Sequence, residues 1–101
     1  MNKKQYMSLA ARVGCLACEL LGIPDTPAQL HHPRAGQGMS QRASDYDVIP
    51  LCPAHHTGSA LSVHMTPIQF KLLFGTESQL VEMTQERVAD LKAQAVGAGF
   101  G

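Results

Sequence analysis

The sequence predicts a small α+β domain, with two short strands and a short helix at its centre and helices at both ends. Three observations carry this expectation. Tyr6, Leu9, Ala10 and Val13 recur at helical spacing, and Gly14 stands where a helix stop belongs. Residues 28–32 and 48–51 read as short extended segments. Thr66-Pro67-Ile68-Gln69 and Thr76-Glu77-Ser78-Gln79 both carry helix-start signals.

Taken in order, the first helix covers residues 3–13. The stretch 23–27 holds Pro24 and Pro27 and reads as a turn. A strand over 28–32 follows, because Pro33 favours an extended residue before it. Residues 34–47, RAGQGMSQRASDYD, are polar and carry glycine, which predicts a loop. A second extended segment spans 48–51, and a short helix starts over 52–56 and ends at Gly58. In the next helix Thr66 is the expected cap, Pro67 the first helical residue and Gln69 the reciprocal cap. It runs to Phe74 and stops at Gly75. The last helix puts Leu80, Val81, Thr84, Val88, Leu91 and Ala95 on one face and is expected to end near Gly97, with 97–101 frayed.

The length of 101 residues fits one domain, spanning 1–101. Hydrophobic residues make up 45%, enough for a packed core. With two tyrosines, three phenylalanines and no tryptophan, that core is expected to rest on Leu, Val, Ile, Met and Ala. So small a domain buries a limited share of its surface and gains from a metal staple. No apolar run reaches the roughly 20 residues of a membrane helix, so no membrane partner is expected. The N-terminal MNKKQYMSLAARVG lacks a secretory pattern, which points to a cytoplasmic chain. Three cysteines, an odd number, suit metal binding in a reducing compartment better than disulfides. The formal net charge of zero leaves phosphate binding to a metal and a few local cations rather than to a basic surface.

The chemistry is concentrated in the three cysteines and five histidines. Cys15-x-x-Cys18 and Cys52-x-x-His55 form one set. A two-residue spacer lets both side chains of a pair reach one ion, and two such pairs complete a tetrahedral Cys₃His zinc site. The plain alternative is three buried free thiols and a surface histidine, but spaced Cys/His pairs are strong metal signatures. A closed set with no open position is structural. It would tie the end of the first helix to the start of the central one.

The second set is His31-His32, His56 and His64. Neighbouring side chains on a strand point to opposite sides, so one of His31 and His32 can ligate while the other faces water or substrate. The same split separates His55 from His56. A continuous helix would hold His56 and His64 roughly 12 Å apart, so Gly58 and the small residues after it must let the chain fold back. A lone histidine would be read as a surface or core residue. Four of them around a zinc motif favour a functional site.

At this point Q-L-H-H-P-R, a polar loop, then D-V-I-P-L-C-P-A-H-H and a later histidine resemble the HNH nucleases of the ββα-metal fold. With R-A-S-D-Y-D before this segment and V-H with F-K-L-L-F-G-T-E-S-Q-L after it, residues 14 to about 80 resemble the phage recombination-enhancement nucleases of the Ref type. The resemblance implies His31, His56 and His64 as ligands of a catalytic divalent ion (Zn, Mg, Mn or Ni) and His32 as general base. It implies DNA as substrate, a recombinase filament as partner, and a phage or prophage protein working in a bacterial host. The middle letter of HNH is usually Asn, and Asp47 stands there, five residues before Cys52. A carboxylate can orient His32 by accepting its ring N–H. Asp45 is the alternative.

The residues agree with that chemistry. An imidazole can take a proton from water near neutral pH. An ion held by three protein ligands keeps open positions for phosphate oxygens. Arg34, just after the base, can pair with a phosphate. Arg42, Lys71 and Arg87 are weaker candidates of the same kind. Two other classes compete. A zinc-stapled nucleic-acid or protein binding module would hold one tight ion and turn nothing over. A small-substrate hydrolase would need a deep apolar pocket, which few aromatics are available to line.

Overall fold

The computed structural model describes residues 2–33 and 46–99, with backbone alone over 95–99. Helix α1 (Lys3–Val13) starts from a capping box that the sequence reading overlooked. The Gln5 N–H donates to Asn2 Oδ1 at 2.8 Å, and the Asn2 N–H donates back to Gln5 Oε1 at 3.2 Å. The helix stops at Gly14, whose φ of 84° suits glycine. The chain then turns so that the Cys15 N–H reaches the Thr26 carbonyl at 2.9 Å.

Helix α2 (Leu16–Leu20) was not expected from the sequence. It is too short to show a period, and a sulfur caps it: Cys15 Sγ accepts from the Cys18 N–H at 3.4 Å. Strand β1 (Gln29–His31) pairs antiparallel with β2 (Ile49–Leu51), setting Gln29 opposite Leu51, Leu30 opposite Pro50 and His31 opposite Ile49. Each strand of a two-stranded sheet has an edge that needs no donor, so Pro50 is tolerated. The expected loop lies mostly outside the described residues, at 34–45; Tyr46 and Asp47 form a turn leading into β2.

Helix α3 (Pro53–His56) follows β2 at once, with Pro53 in its first turn. The chain then folds back on it. The Val63 N–H reaches the His55 carbonyl at 3.0 Å, and the His64 N–H reaches the His56 carbonyl at 3.2 Å. Gly58 sits inside this reversal, where an added Cβ would overlap the carbonyl oxygen of Ala54.

Helix α4 (Pro67–Phe74) has the expected bounds but not the expected cap. The Thr66 hydroxyl is turned to Ser62, accepting from its N–H at 2.8 Å and donating to its carbonyl at 3.2 Å. Closing the preceding turn wins over capping the helix. Helix α5 (Glu77–Gly99) does start from its capping box: the Thr76 N–H meets Gln79 Oε1 at 2.8 Å, and the Gln79 N–H meets Thr76 Oγ1 at 3.1 Å. It continues to Gly99 rather than ending near Gly97.

The main core joins Leu16, Ile49, Leu51, Phe70, Phe74 and Leu80 with the three cysteines. Each fully buried aliphatic side chain here contributes about 1.5–3 kcal/mol. A second cluster of Tyr6, Ala10, Val48 and Val88 seats α5 on α1. Tyr6, Phe70 and Phe74 are thus core residues, although the sequence reading rested the core on aliphatic side chains. On α5, Leu80, Thr84 and Val88 are buried and Val81 and Leu91 are half-buried; the Ala95 side chain lies outside the described residues. The result is an α+β arrangement in which a two-stranded sheet and α3 are held between α1, α2 and the C-terminal helices.

Candidate metal centres

The turn before α2 and the start of α3 bring Cys15, Cys18, Cys52 and His55 together. His55 Nδ1 lies 3.7, 3.5 and 3.2 Å from the sulfurs of Cys15, Cys18 and Cys52, and the Cys18 and Cys52 sulfurs are 3.8 Å apart. A tetrahedral zinc ion with ordinary bond lengths would space sulfur from sulfur by about 3.8 Å and sulfur from nitrogen by about 3.5 Å. The donor set fits that ion, and the four residues can hold a metal such as zinc. The three thiols are free rather than disulfide-bonded.

Burial pushes the Cys15 thiol up to about 11. Burial also opposes ionisation of Cys52, but the His55 N–H and the neighbouring thiols outweigh it and the net direction is down. A bound cation would offset the charge of these thiols on ionising together in one buried corner.

His31, His56 and His64 form a second group, each offering a ring nitrogen within 4.8 Å of the others. The ring centroids stand 5.1 Å (His31–His56), 5.0 Å (His31–His64) and 4.9 Å (His56–His64) apart, close to an equilateral triangle. His31 comes from β1, His56 from the end of α3, and His64 from the turn that follows the fold-back. Burial, with His31 and His64 beside it, pushes His56 down toward the neutral form that binds metals.

His31 and His56 each have a ring nitrogen against a polar side chain. His56 Nδ1 lies 2.9 Å from Gln29 Oε1. His31 Nε2 lies 3.0 Å from Glu77 Oε2, with His31 only 4% exposed. Gln29 and Glu77 were not picked out from the sequence. Gln29 had a signal, since it stands two residues before His31 and shares its side of the strand. Glu77 had none pointing to the site. An acidic residue in a first helical turn is the ordinary choice at that position.

His32 is exposed while His31 is buried, as strand alternation requires. Asp47 is half-buried and lines a cleft of about 310 Å³ together with Pro33, Glu77 and Glu82. Arg34, Arg42 and Asp45 lie outside the described residues. Lys71 is exposed on α4. Arg87 is engaged elsewhere: its guanidinium meets the Glu19 carboxylate at 3.1–3.4 Å, joining α5 to α2.

No helix among the described residues is long and apolar enough to cross a membrane. Compared with known proteins, residues 1–89 match the family model described as recombination enhancement, RecA-dependent nuclease. No curated protein matches the chain.

Proposed function

Since the chain belongs to the family of recombination-enhancement, RecA-dependent nucleases, we propose that it is a metal-dependent endonuclease of the HNH type, hydrolysing DNA phosphodiester bonds. The observation that carries this reading is the triangle of His31, His56 and His64 beside an exposed His32. In this reading β1, β2 and α3 are the ββα-metal core of one domain. Cys15, Cys18, Cys52 and His55 hold a structural zinc that braces α3 from the other side.

A divalent ion bound by the three histidines would relieve charge on the scissile phosphate and on the departing oxygen. His32 accepts the proton of the attacking water as its oxygen bonds to phosphorus and the phosphorus–oxygen ester bond breaks. The departing oxygen takes a proton from solvent. His32 is exposed just past β1, whereas the His31 beside it is buried. Asp47 and Arg34 are assigned to orienting the base and to binding phosphate. The family description supports a RecA filament as the partner that licenses cutting.

The test is cleavage of plasmid and single-stranded DNA, with and without added divalent metal and with and without a RecA filament. Metal-dependent nicking or cutting that requires the filament is expected. Protein that holds a single tight zinc and cuts neither substrate under any of these conditions would instead be a zinc-stapled binding module.

A further inference from the structure

We propose that Glu77 is a positioning residue for the three-histidine site, holding His31 by its Nε2–H so that Nδ1 faces the ion. The inference rests on the metal site proposed above and adds a residue from a distant helix to it. His31 Nε2 and Glu77 Oε2 are 3.0 Å apart, and they are separated by 46 positions in the chain. His31 is 4% exposed and Glu77 24% exposed, so water competes weakly for this bond. A metal-bound imidazole characteristically donates its second ring N–H to a carboxylate or carbonyl, which fixes the tautomer and raises the basicity of the ligating nitrogen. His56 repeats the pattern: its Nδ1 donates to Gln29 Oε1 at 2.9 Å, which leaves Nε2 for the ion.

The fold places Glu77 with care. It is the first residue of α5, locked by the reciprocal Thr76–Gln79 hydrogen bonds and preceded by Gly75 at a φ of 107°. The start of α5 therefore does two jobs. It begins the longest helix, and it delivers a carboxylate to the back of a ligand contributed by β1.

The experiment uses the full chain loaded with zinc. Long-range proton–nitrogen correlation spectra read which ring nitrogen of His31 carries hydrogen, and chelator competition reads affinity at each metal site. The expected spectrum has His31 protonated at Nε2 and metal-bound at Nδ1. Glu77→Ala should weaken the three-histidine site by about 10–100-fold, leaving the cysteine site unchanged. Glu77→Gln, which keeps an acceptor, should preserve the tautomer and recover part of the affinity. Two bound metals with His31 bound through Nε2, or unchanged affinity in Glu77→Ala, would overturn the role of Glu77 alone. A parent protein that binds a single metal would overturn both this role and the metal site beneath it. Should Glu77→Ala fail to fold, the Glu77→Gln affinity and the parent spectrum still decide the matter.

Discussion

His55 and His56 are adjacent in one short helix, yet their rings belong to different clusters. His55 Nδ1 lies 3.2 Å from Cys52 Sγ. The His56 ring lies 4.9 Å from that of His64 and is backed by Gln29. Successive residues of a helix are turned about 100° from each other, which is enough to aim the two imidazoles at two different clusters. On the proposed assignment, exchanging one ring for a methyl group gives opposite phenotypes. His55→Ala should lose the structural zinc and much of the fold. His56→Ala should stay folded, keep one zinc and lose the second ion together with cleavage. Metal analysis and thermal melting of the two variants side by side check this, and matching profiles would rule out the division.

Removal of zinc tests the cysteine cluster separately. Metal binding and folding are coupled when the ligands come from distant parts of the chain, and here α2 and α3 supply them. Cys18→Ser, or chelation of the parent, should lower the melting temperature sharply or unfold the domain. An unchanged melt after the zinc has been stripped would show that the apolar core alone carries the fold.

Both clusters were legible because their signals are local. The Cys-x-x-Cys and Cys-x-x-His spacings and the doubled histidines can be read within windows of a few residues. The fold-back that brings His64 to His56 was also legible, since a continuous helix would have kept them apart. What escaped depends on competition or on distance. The Thr66 pattern promised a cap, but the Ser62 backbone lies closer in the folded turn and takes the hydroxyl. Helix α2 hid because a cysteine sulfur is itself the cap. Glu77 and Arg87 both look like surface charges of α5 in the sequence. Only the placement of α5, packed on α1 and β2, brings one to His31 and the other to Glu19.

Gly58 is where the fold-back can be broken without touching a ligand. A methyl group there meets the Ala54 carbonyl oxygen, and backbone cannot yield as a flexible side chain would. Gly58→Ala should cost about 1–3 kcal/mol by forcing the reversal open. Because the strain falls between His56 and His64, the three-histidine site should lose metal affinity before the cysteine site does. Melting and per-site metal competition measure both effects. Wild-type values in both would mean that the reversal has slack.

His32 gives the sharpest separation between a nuclease and a binding module. It is exposed, next to the buried His31, and outside both clusters. Replacing it should therefore leave the fold and both metals in place. If His32 takes the proton from the attacking water, His32→Ala should cut DNA about 10²–10⁴-fold more slowly than the parent. The loss should appear in the rate at saturating DNA rather than in the affinity for DNA, because the missing step is proton transfer. A surface histidine that merely contacts DNA would show the reverse: weaker binding, and an unchanged rate once substrate is saturating. Single-turnover cleavage across a range of DNA concentrations, run beside metal content and melting, separates the two. A variant that cuts at the parental rate would remove His32 from the mechanism while leaving both metal clusters untouched.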